Sequence, residues 1–547
     1  MSITDQYPSQ TQLITFREFV CHAAAADRDG DARAREIWLA AAAKLHPVSD
    51  DALDALLLHL TTFSHAGDDA VAIAEAFVKL YPANARSHFR LGLTFQLLDR
   101  HEEALAPYRA ALAIDPEALN LRNNLASALI TLKRSNQEAK QLLEAALERA
   151  PDDVNATINI ARVHLRSFDL DAAMQAEEKA ERMQPESAVL MSNRSQTLRE
   201  AQRWEDAERY AAAALQRDPG NRMYLSNLGM IHLLRGNYTD GWREHEARWD
   251  GSSELRGRRP VLPGPTWRGE PLAGKTLLLW GEQGMGDLLQ FCRYVPMLAA
   301  HVHSQGGRLA WNSFPQMGGL VARSLARHAD EFTLGGGVES LPHFDYELSL
   351  VTLPLVFGTQ LETIPADVPY LHPDPQSVEQ WRKRLGSEPR LKVGLTWTGS
   401  LTHQRNPYRR VGLERYVDYF RDLGNVAFYS LQPGAHAEVA AARSAGLDIA
   451  DHSSEFSTFD DTAAFIGALD LVISVCTSAA HLSGAIGQRT WVLLDVNPHW
   501  TWLTDRTDSP WYPTATLYRQ TRFGDWTGPM ERISRDLAEL AEKHCAA

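Results

Sequence analysis

The stretch ARSHFRLGLTFQLLDRHEEALAPYRAALAIDP, from Ala85 to Pro116, decides the fold of the first half of this chain. It ends in the phrase AIDP, and similar phrases that end in proline recur before and after it. Because proline cannot continue a helix, each fits the turn beyond the second helix of a repeated unit. These prolines are Pro47, Pro82, Pro116, Pro151, Pro185 and Pro219, at successive spacings of 35, 34, 35, 34 and 34 residues.

Two further positions of the repeat carry alanine in five of six copies. Small side chains at both positions indicate that two helices approach each other closely there. The residues five before the prolines are Ala42, Phe77, Ala111, Ala146, Ala180 and Ala214, and those twelve before them are Arg35, Ala70, Ala104, Ala139, Ala173 and Ala207. A period near 34 is that of the helix-turn-helix unit of tetratricopeptide repeats.

The stretch from Ala85 to Pro116 resembles the tetratricopeptide repeat family in detail. The residues in register with that family are Leu91, Gly92, Phe95, Ala104, Tyr108, Ala111 and Pro116. Counting a degenerate first unit and a last unit through Gly236–Trp249, we expect seven helix pairs. The predicted solenoid spans residues 10–250.

A row of asparagines follows the same period, with Asn124, Asn159, Asn193 and Asn227 spaced by 35, 34 and 34 residues. On stacked helices these side chains would line the concave surface of the solenoid. An amide donates and accepts hydrogen bonds, so such a row can hold the backbone of an extended peptide. We therefore predict a protein acceptor on this surface, with a common consensus residue of the repeat as the alternative.

Composition excludes several classes of protein. The formal charge of −14 argues against nucleic acid or an anionic membrane surface as the main partner. Four scattered cysteines without a CxxC pair make a disulfide framework or a zinc site unexpected. The start MSITDQYPSQ has no signal sequence, and no apolar run reaches the ~18 residues of a membrane span. We expect a soluble, cytoplasmic protein.

The second half of the chain alternates strand-like and helical segments, which predicts parallel sheets covered by helices. A Gly-, Pro- and Arg-rich linker or strap, residues 251–273, separates it from the repeats. We predict two Rossmann-like lobes, 274–372 and 390–547 with a C-terminal strap, that face each other across a cleft. The strand-like runs are Lys275–Trp280, Arg308–Trp311, Tyr346–Leu350, Lys392–Trp397, Val426–Leu431, Leu469–Val475 and Thr490–Leu494.

The motif GEQGMGD, Gly281–Asp287, follows the first strand of the first lobe. Gly284 and Gly286 permit a tight turn and the close approach of a ligand. Asp287 would stand at the lip of the cleft, where the alternative role is helix capping. A GxG alone does not make a dinucleotide fingerprint, because no acidic residue completes it.

Two motifs of the second lobe suit an anion. In TWTGSLTHQRNPYRRVGL (396–413), Arg405, Arg409 and Arg410 either neutralise phosphate or form a solvated loop. In SVCTSAAHLSGAIG (474–487), a strand passes into a helix, and such corners bind anions on free backbone N–H groups.

The C-terminal stretch NPHWTWLTDRTDSPWYPTATLYRQ, residues 497–520, is rich in aromatic side chains. Aromatic rings beside polar groups suit a sugar or a base, and they also pack a strap against a core. We expect packing for Trp511 and leave both roles open for Trp500.

Three motifs resemble tetratricopeptide proteins fused to a glycosyltransferase domain related to the bacterial heptosyltransferases. They are DTAAFIGALDLVISVCTSAAHLSGAIG (461–487), GEQGMGDLLQFCRYVP (281–296) and DRTDSPWYP (505–513). The resemblance implies a two-lobed GT-B fold, an inverting reaction and a nucleotide-sugar donor held mainly by the second lobe. The nucleotide sugar would be a substrate, and no metal or other cofactor is expected.

The resemblance also implies site residues. Asp287 would be the general base that deprotonates the acceptor hydroxyl. The residues that would bind the donor are Gly284, Gly286, Arg409, Thr477, Ser478 and His481. Cys476 departs from the family, which has an acidic residue there, and its small, neutral side chain suits a buried strand end better than a nucleophile.

The sequence therefore predicts an inverting glycosyltransferase that moves a sugar from a nucleotide donor to a hydroxyl on a protein acceptor presented by the repeats. One alternative is transfer to a lipopolysaccharide or polysaccharide. A second alternative is a non-catalytic repeat scaffold with a lapsed transferase domain, against which the presence of both Asp287 and His481 argues.

Overall fold

The computed structural model describes residues 7–62, 66–118, 120–252, 254–282, 284–335 and 341–546. The chain divides into two compact units, Met1–Leu190 and Met191–Ala547. The first consists of helical repeats. The second contains the last repeats and a parallel-sheet α/β region. None of the described helices is long and apolar enough to cross a membrane.

The first unit is a succession of helices with the predicted period. Asn84, Asp153 and Asp169 cap three of them by accepting hydrogen bonds from N-terminal amides. The helices are α1 (Gln10–Arg28), α2 (Ala32–Ala43), α3 (Asp50–Thr62), α4 (Gly67–Leu80), α5 (Ala85–Leu97), α6 (His101–Ile114), α7 (Leu121–Thr131), α8 (Asn136–Arg149), α9 (Val154–Arg166) and α10 (Leu170–Met183).

The small residues of the repeat lie where helices touch. Ala70, Ala104, Ala139 and Ala173 are completely buried. A Cβ atom added to Gly92 on α5 would lie 2.6 Å from the ring of Tyr108 on α6, so a larger residue would separate the two helices. Close helix contact at the alanine positions, inferred from the repeated alanines alone, is confirmed.

The second unit begins with helices that continue the repeat period. They are α11 (Ala188–Glu200), whose first three residues belong to the first unit, α12 (Trp204–Arg217), α13 (Arg222–Arg235) and α14 (Tyr238–His245), followed by the short α15 (Arg248–Gly251). Within the described residues, α1–α14 supply the fourteen helices that the seven predicted pairs require.

The first sheet of the second unit has four parallel strands in the order β3-β2-β1-β4. Its strands are β1 (Thr276–Trp280), β2 (Arg308–Asn312), β3 (Glu331–Thr333) and β4 (Tyr346–Ser349). The helices of this region are α16 (Met285–Phe291), α17 (Val295–Ser304), α18 (Gly319–Leu325) and α19 (Leu353–Val356). Strand order reverses beside β1, because β2 and β4 lie on opposite sides of it.

The second sheet has six parallel strands in the order β10-β9-β8-β5-β6-β7. They are β5 (Leu391–Thr396), β6 (Val426–Ser430), β7 (Ile449–Asp451), β8 (Leu471–Val475), β9 (Thr490–Leu494) and β10 (Ala515–Arg519). The helices here are α20 (Pro375–Arg384), α21 (Asn406–Arg409), α22 (Leu413–Phe420), α23 (His436–Ser444), α24 (Phe459–Ile466), α25 (Ser478–Ala485) and α26 (Thr527–Ala546). The order reverses between β5 and β8, and open parallel sheets bind ligands at the carboxyl ends of such strands.

All seven strand-like runs are strands, and the described residues form three further strands, β3, β7 and β10, that the sequence did not predict. Two of the missed strands have three residues each and lie at sheet edges. Such short, partly exposed strands contain too few apolar residues to be recognised from the sequence. Strand β10 falls in the aromatic stretch predicted only as a strap, and it pairs in parallel with β9.

The segment predicted as a linker or strap packs along the first sheet. Thr266 forms an isolated parallel bridge with Glu347 on β4, and the Trp267 amide donates to the Glu347 carbonyl at 2.9 Å. The Trp267 side chain is buried in the core. This part of the segment is therefore a strap on β4.

An aromatic cluster joins helix α14 to the α/β region within the second unit. The ring of Trp242 lies 5.1 Å from that of Trp500 and 6.4 Å from that of Trp511, and Phe291 contacts all three. Trp500 and Trp511 are 2% and 0% exposed. Both tryptophans are therefore core residues, which decides the role left open for Trp500.

Candidate active site

The candidate site lies at the carboxyl ends of β5 and β8, where the second sheet reverses its strand order. The Thr396 hydroxyl, at the end of β5, hydrogen bonds to the Ser474 hydroxyl on β8 at 2.5 Å. The two strands thus bring together the two loops that the sequence motifs singled out, one before α21 and one before α25.

The start of α25 offers backbone N–H groups toward this edge. Thr477 is the N-cap residue, and its hydroxyl accepts from the Ala479 amide at 3.3 Å. The Ser478 hydroxyl is half-buried and makes no hydrogen bond within the described part of the chain. Thr477 and Ser478 are both predicted to bind the sugar donor. The Thr477 hydroxyl is engaged in capping α25, whereas the Ser478 hydroxyl is available.

His481 is buried one turn further along α25. Its Nδ1 atom lies 2.9 Å from the Tyr512 hydroxyl, and its ring packs against Trp502. Burial, aided by the charges of Arg293 and Arg409, lowers the pKa of His481 to about 3. The imidazole is therefore neutral, so it can offer an anion a hydrogen bond and not a charge.

The first-lobe motif touches this histidine directly. A Cβ atom added to Gly286 would lie 3.2 Å from His481 Cδ2 and 3.8 Å from the Cα atom of Ser478. Gly286 therefore allows helices α16 and α25 to approach closely. Gly284 precedes α16 as its N-cap residue, and neither glycine has a positive φ.

Asp287 occupies the third position of α16, with its carboxylate folded over Gly284. The carboxylate makes no hydrogen bond with any residue that the structure describes, and the neighbouring Gln283 of the motif lies outside those residues. The capping alternative therefore has no hydrogen bond to support it. Burial, together with the negative charge of Glu282, raises the pKa of Asp287 to about 7.

A buried ion pair stands beside Asp287. Glu282 follows β1 and is 5% exposed, and it accepts a hydrogen bond at 3.1 Å from Nε of Arg248, which is 3% exposed. Arg248 also pairs with Glu246 at 2.6 Å, and the Ser349 hydroxyl donates to Glu282. Glu282 and Arg248, the first residue of α15, thus set the electrostatic surroundings of the predicted base.

The three arginines of the loop at residues 396–413, the arginine loop, differ in their surroundings. Arg405 pairs with Glu200 and Asp495, so it is committed to an internal ion cluster. Arg410 is exposed. The Arg409 guanidinium lies against Gly399 and makes no ion pair within the described ranges; its one hydrogen bond, to the Asn406 side chain, is 3.5 Å long. Among the described residues neither Arg409 nor Arg410 has an ion pair, and Arg409 is the half-buried one of the two.

Cys476 lies at the end of β8 and is 5% exposed. Its sulfur accepts a hydrogen bond from the Trp502 indole at 3.1 Å, and burial raises the pKa of its thiol. A protonated, hydrogen-bonded thiol is a poor nucleophile. The cysteine completes the packing under the site.

Arg293 is a second cation that reasoning from sequence missed, although it lies in a quoted motif. It is 5% exposed, donates to the Trp511 carbonyl at 2.7 Å and to the Tyr370 hydroxyl at 2.8 Å, and has no carboxylate partner among the described residues. Its guanidinium lies 4.8 Å from the centre of the Tyr512 ring. Arg293 thus links all three motifs of the heptosyltransferase resemblance through Tyr512 and His481.

The four asparagines of the predicted acceptor row differ in their surroundings. In the first unit, Asn124 lies close to Tyr108, whose hydroxyl donates to Gln96 at 2.6 Å, and the buried Asn159 donates to Asn123 at 2.8 Å. In the second unit, the half-buried side chains of Asn193 and Asn227 make no hydrogen bond within the described ranges. The second pair is therefore the one with amides available for a peptide.

The sequence analysis also did not identify three further charged residues near the site. Glu200, Arg248 and Asp495 are charged residues in ordinary surroundings of the sequence, and only folding pairs them with Arg405 and Glu282. Among the described residues, no group of three or more His, Cys, Asp or Glu is arranged to hold a metal ion.

Comparison with known proteins identifies the repeats. The tetratricopeptide repeat family model matches residues 67–118, 123–188 and 193–251. Protein FlbA of Caulobacter vibrioides is 27% identical over 479 residues, which cover 83% of this chain and 78% of that protein. The human protein O-mannosyl-transferase TMTC1 is 26% identical over 160 residues, 28% of this chain and 18% of that protein.

Among solved structures, the thermophilic tetratricopeptide protein TTC0263 of Thermus thermophilus is 20% identical, with a TM-score of 0.29. It matches 32% of this chain and 96% of its own. A TM-score this low carries no inference about this chain.

Proposed function

We propose that this protein is an inverting glycosyltransferase that moves a sugar from a nucleotide sugar to a hydroxyl of a protein acceptor. The observation that carries the proposal is the contact of Gly286 with His481 and Ser478. Because Asp287 follows Gly286 in the chain, this contact brings an ionisable carboxylate close to the start of α25, which is suited to bind an anion. The two parallel sheets, each with a reversal of strand order, support the two-lobed GT-B arrangement implied by the heptosyltransferase resemblance.

The donor would be held at the start of α25. Its free N–H groups, the Ser478 hydroxyl and the neutral His481 would receive the diphosphate, with Thr477 as the capping residue. Arg409 would neutralise the charge that develops on the leaving diphosphate, because it lacks an internal ion pair within the described residues. Gly284 and Gly286 would let the sugar approach the start of α16.

Asp287 would be the general base. The acceptor hydroxyl oxygen attacks the anomeric carbon, its proton passes to the carboxylate, and the bond from that carbon to the diphosphate breaks. One displacement inverts the configuration at the anomeric carbon. A carboxyl with a pKa of about 7 is well matched to this proton transfer near neutral pH.

The repeats would present the acceptor. Asn124, Asn159, Asn193 and Asn227 were predicted to bind an extended peptide, and the free amides of Asn193 and Asn227 support that role best. The name of TMTC1 describes protein O-mannosyl transfer, which agrees with a protein acceptor, but the match covers 18% of that protein. The sugar is therefore not carried over from it.

The direct test is transfer of radiolabelled sugar from a panel of nucleotide sugars to fractions of the native cell, with Asp287→Asn as the inactive control. Label in the protein fraction supports the proposal. Label in lipid or polysaccharide places the acceptor in the alternative class.

Binding tests the donor site separately. A nucleoside diphosphate at one hundred times its Kd should stabilise the fold by roughly 2.7 kcal/mol, and His481→Ala should lose most of that shift. An undiminished shift in His481→Ala would move the site away from α25. No shift and no transfer with any donor would leave a repeat scaffold without activity.

A further inference from the structure

Helix α11, a repeat helix, holds the arginine loop of the second sheet. Glu200 ends α11 and is 4% exposed, and its two carboxylate oxygens lie 2.5 and 3.2 Å from the Arg405 guanidinium. Asp495, which follows β9 and is 3% exposed, binds the same guanidinium at 2.5 Å. One buried arginine is thus held by a carboxylate from the repeats and one from the sheet.

Hydrogen bonds of the neighbouring residues add to this ion cluster. Asn497 donates its amide to Glu200 Oε1 at 2.9 Å, and Arg199 donates its Nε–H to the Asn497 side-chain oxygen at 3.2 Å. Two consecutive residues of α11 therefore bind the segment that follows β9. The orientation of Glu200 is fixed from two sides.

Arg405 in turn begins the short helix that carries Arg409. It is the N-cap residue of α21, and Arg409 is the last residue of that helix. Asn406 closes the loop, since its side chain accepts from the Gly399 amide at 2.9 Å and donates to the Thr398 hydroxyl at 3.1 Å. A movement of Arg405 would therefore move Arg409, whose guanidinium lies against Gly399.

We propose that Glu200 is a positioning residue for the donor site: it anchors Arg405, and through α21 it aims the Arg409 guanidinium at the donor phosphates. The last repeats would then serve the donor site as well as the acceptor. This inference rests on the proposed function, because Arg409 is assigned there to the diphosphate.

The test is a double-mutant cycle on the full chain, with Kd measured by calorimetry. The probes are inorganic pyrophosphate and the four common ribonucleoside diphosphates. We expect Glu200→Gln and Arg409→Ala each to weaken binding about tenfold. Because Glu200 acts through Arg409, the double variant should bind no more weakly than Arg409→Ala alone.

The control is Glu208→Gln, which breaks the ion pair of another repeat carboxylate with Arg235. It should bind the probes as the wild type does. Wild-type affinity in Glu200→Gln, or a roughly hundredfold loss in the double variant, would overturn the positioning role. If the wild type binds none of the probes, the proposed donor site itself fails.

Each variant is first melted without ligand. If Glu200→Gln lacks a cooperative transition, the cycle is run with Arg405→Lys, which keeps the buried charge and loses the paired hydrogen bonds to Glu200. Arg405→Lys should weaken binding in the same direction and should likewise add nothing to Arg409→Ala. Independent losses in that cycle would equally overturn the proposal.

Discussion

Replacing Asp287 with asparagine should stabilise the protein while it removes the proposed general base. The folded-state pKa of Asp287 is raised from 3.8 to about 7, so the folded state favours the neutral carboxyl. Between these two values the unfolded chain has lost the proton and the folded chain has kept it. Stability therefore falls as pH rises from about 4 to about 7, and the full penalty is present above 7. Asparagine is neutral at every pH and escapes it.

The magnitude follows from the size of the shift. Roughly three pKa units at 1.36 kcal/mol each give about 4 kcal/mol, and solvent screening of this half-buried group reduces that to about 2 kcal/mol. For a cooperative unit of about 350 residues, 2 kcal/mol corresponds to a rise in Tm of about 3 °C.

The assay is thermal unfolding of the wild type and Asp287→Asn at several pH values from 4.5 to 8. The gap in Tm should widen up to about pH 7 and then stay constant. Asp367→Asn is the matched control, because Asp367 is an exposed carboxylate without an ion pair among the described residues. Equal Tm values for Asp287→Asn and the wild type at pH 8 would refute the raised pKa assigned to this carboxyl.

Three further outcomes are expected. The rate of sugar transfer should rise with pH to a plateau, with a midpoint near pH 7, and kcat of Asp287→Asn should fall ~10²–10⁴-fold; a flat pH–rate profile would contradict a carboxylate base. Tyr512→Phe removes the hydroxyl that orients His481, so calorimetry should show pyrophosphate affinity reduced about threefold to tenfold, and unchanged affinity would limit Tyr512 to packing. Replacing Asn193 and Asn227 with alanine should weaken a labelled acceptor about tenfold in a titration, and equal affinity would leave both as consensus residues.

One asparagine of the predicted acceptor row lies on a helix that contacts the arginine loop. Distant sites act independently, and the sequence alone places the asparagines on the repeats and the diphosphate on the second lobe. In the structure, Asn193 lies on α11, the helix that ends at Glu200 and holds Arg405. Donor affinity must therefore be measured alongside acceptor affinity in any variant of α11.

The sequence by itself determined the repeats, seven of the ten described strands and the two strand-to-helix corners of the second sheet. A 34-residue period with prolines and alanines is local information repeated many times, so it survives any error at a single position. Seven apolar runs are strands because a run of apolar residues is also a local signal. Parallel strands end at the same edge of a sheet, which brings Thr396 and Ser474 together. Asp287 and His481 stood out because each follows such a strand in a glycine- or alanine-rich turn.

Only the tertiary structure decided which charges are free. Arg405 and Arg409 look alike in the sequence, yet Glu200, about two hundred residues away, pairs with the first, while the second has no ion pair in the part of the chain that the structure describes. The same holds for Arg248 and Glu282, whose pairing beside Asp287 depends on how α15 packs against β1. Whether a charged side chain forms an ion pair depends on the groups within a few ångströms of it in space. The order of residues along the chain does not give those distances.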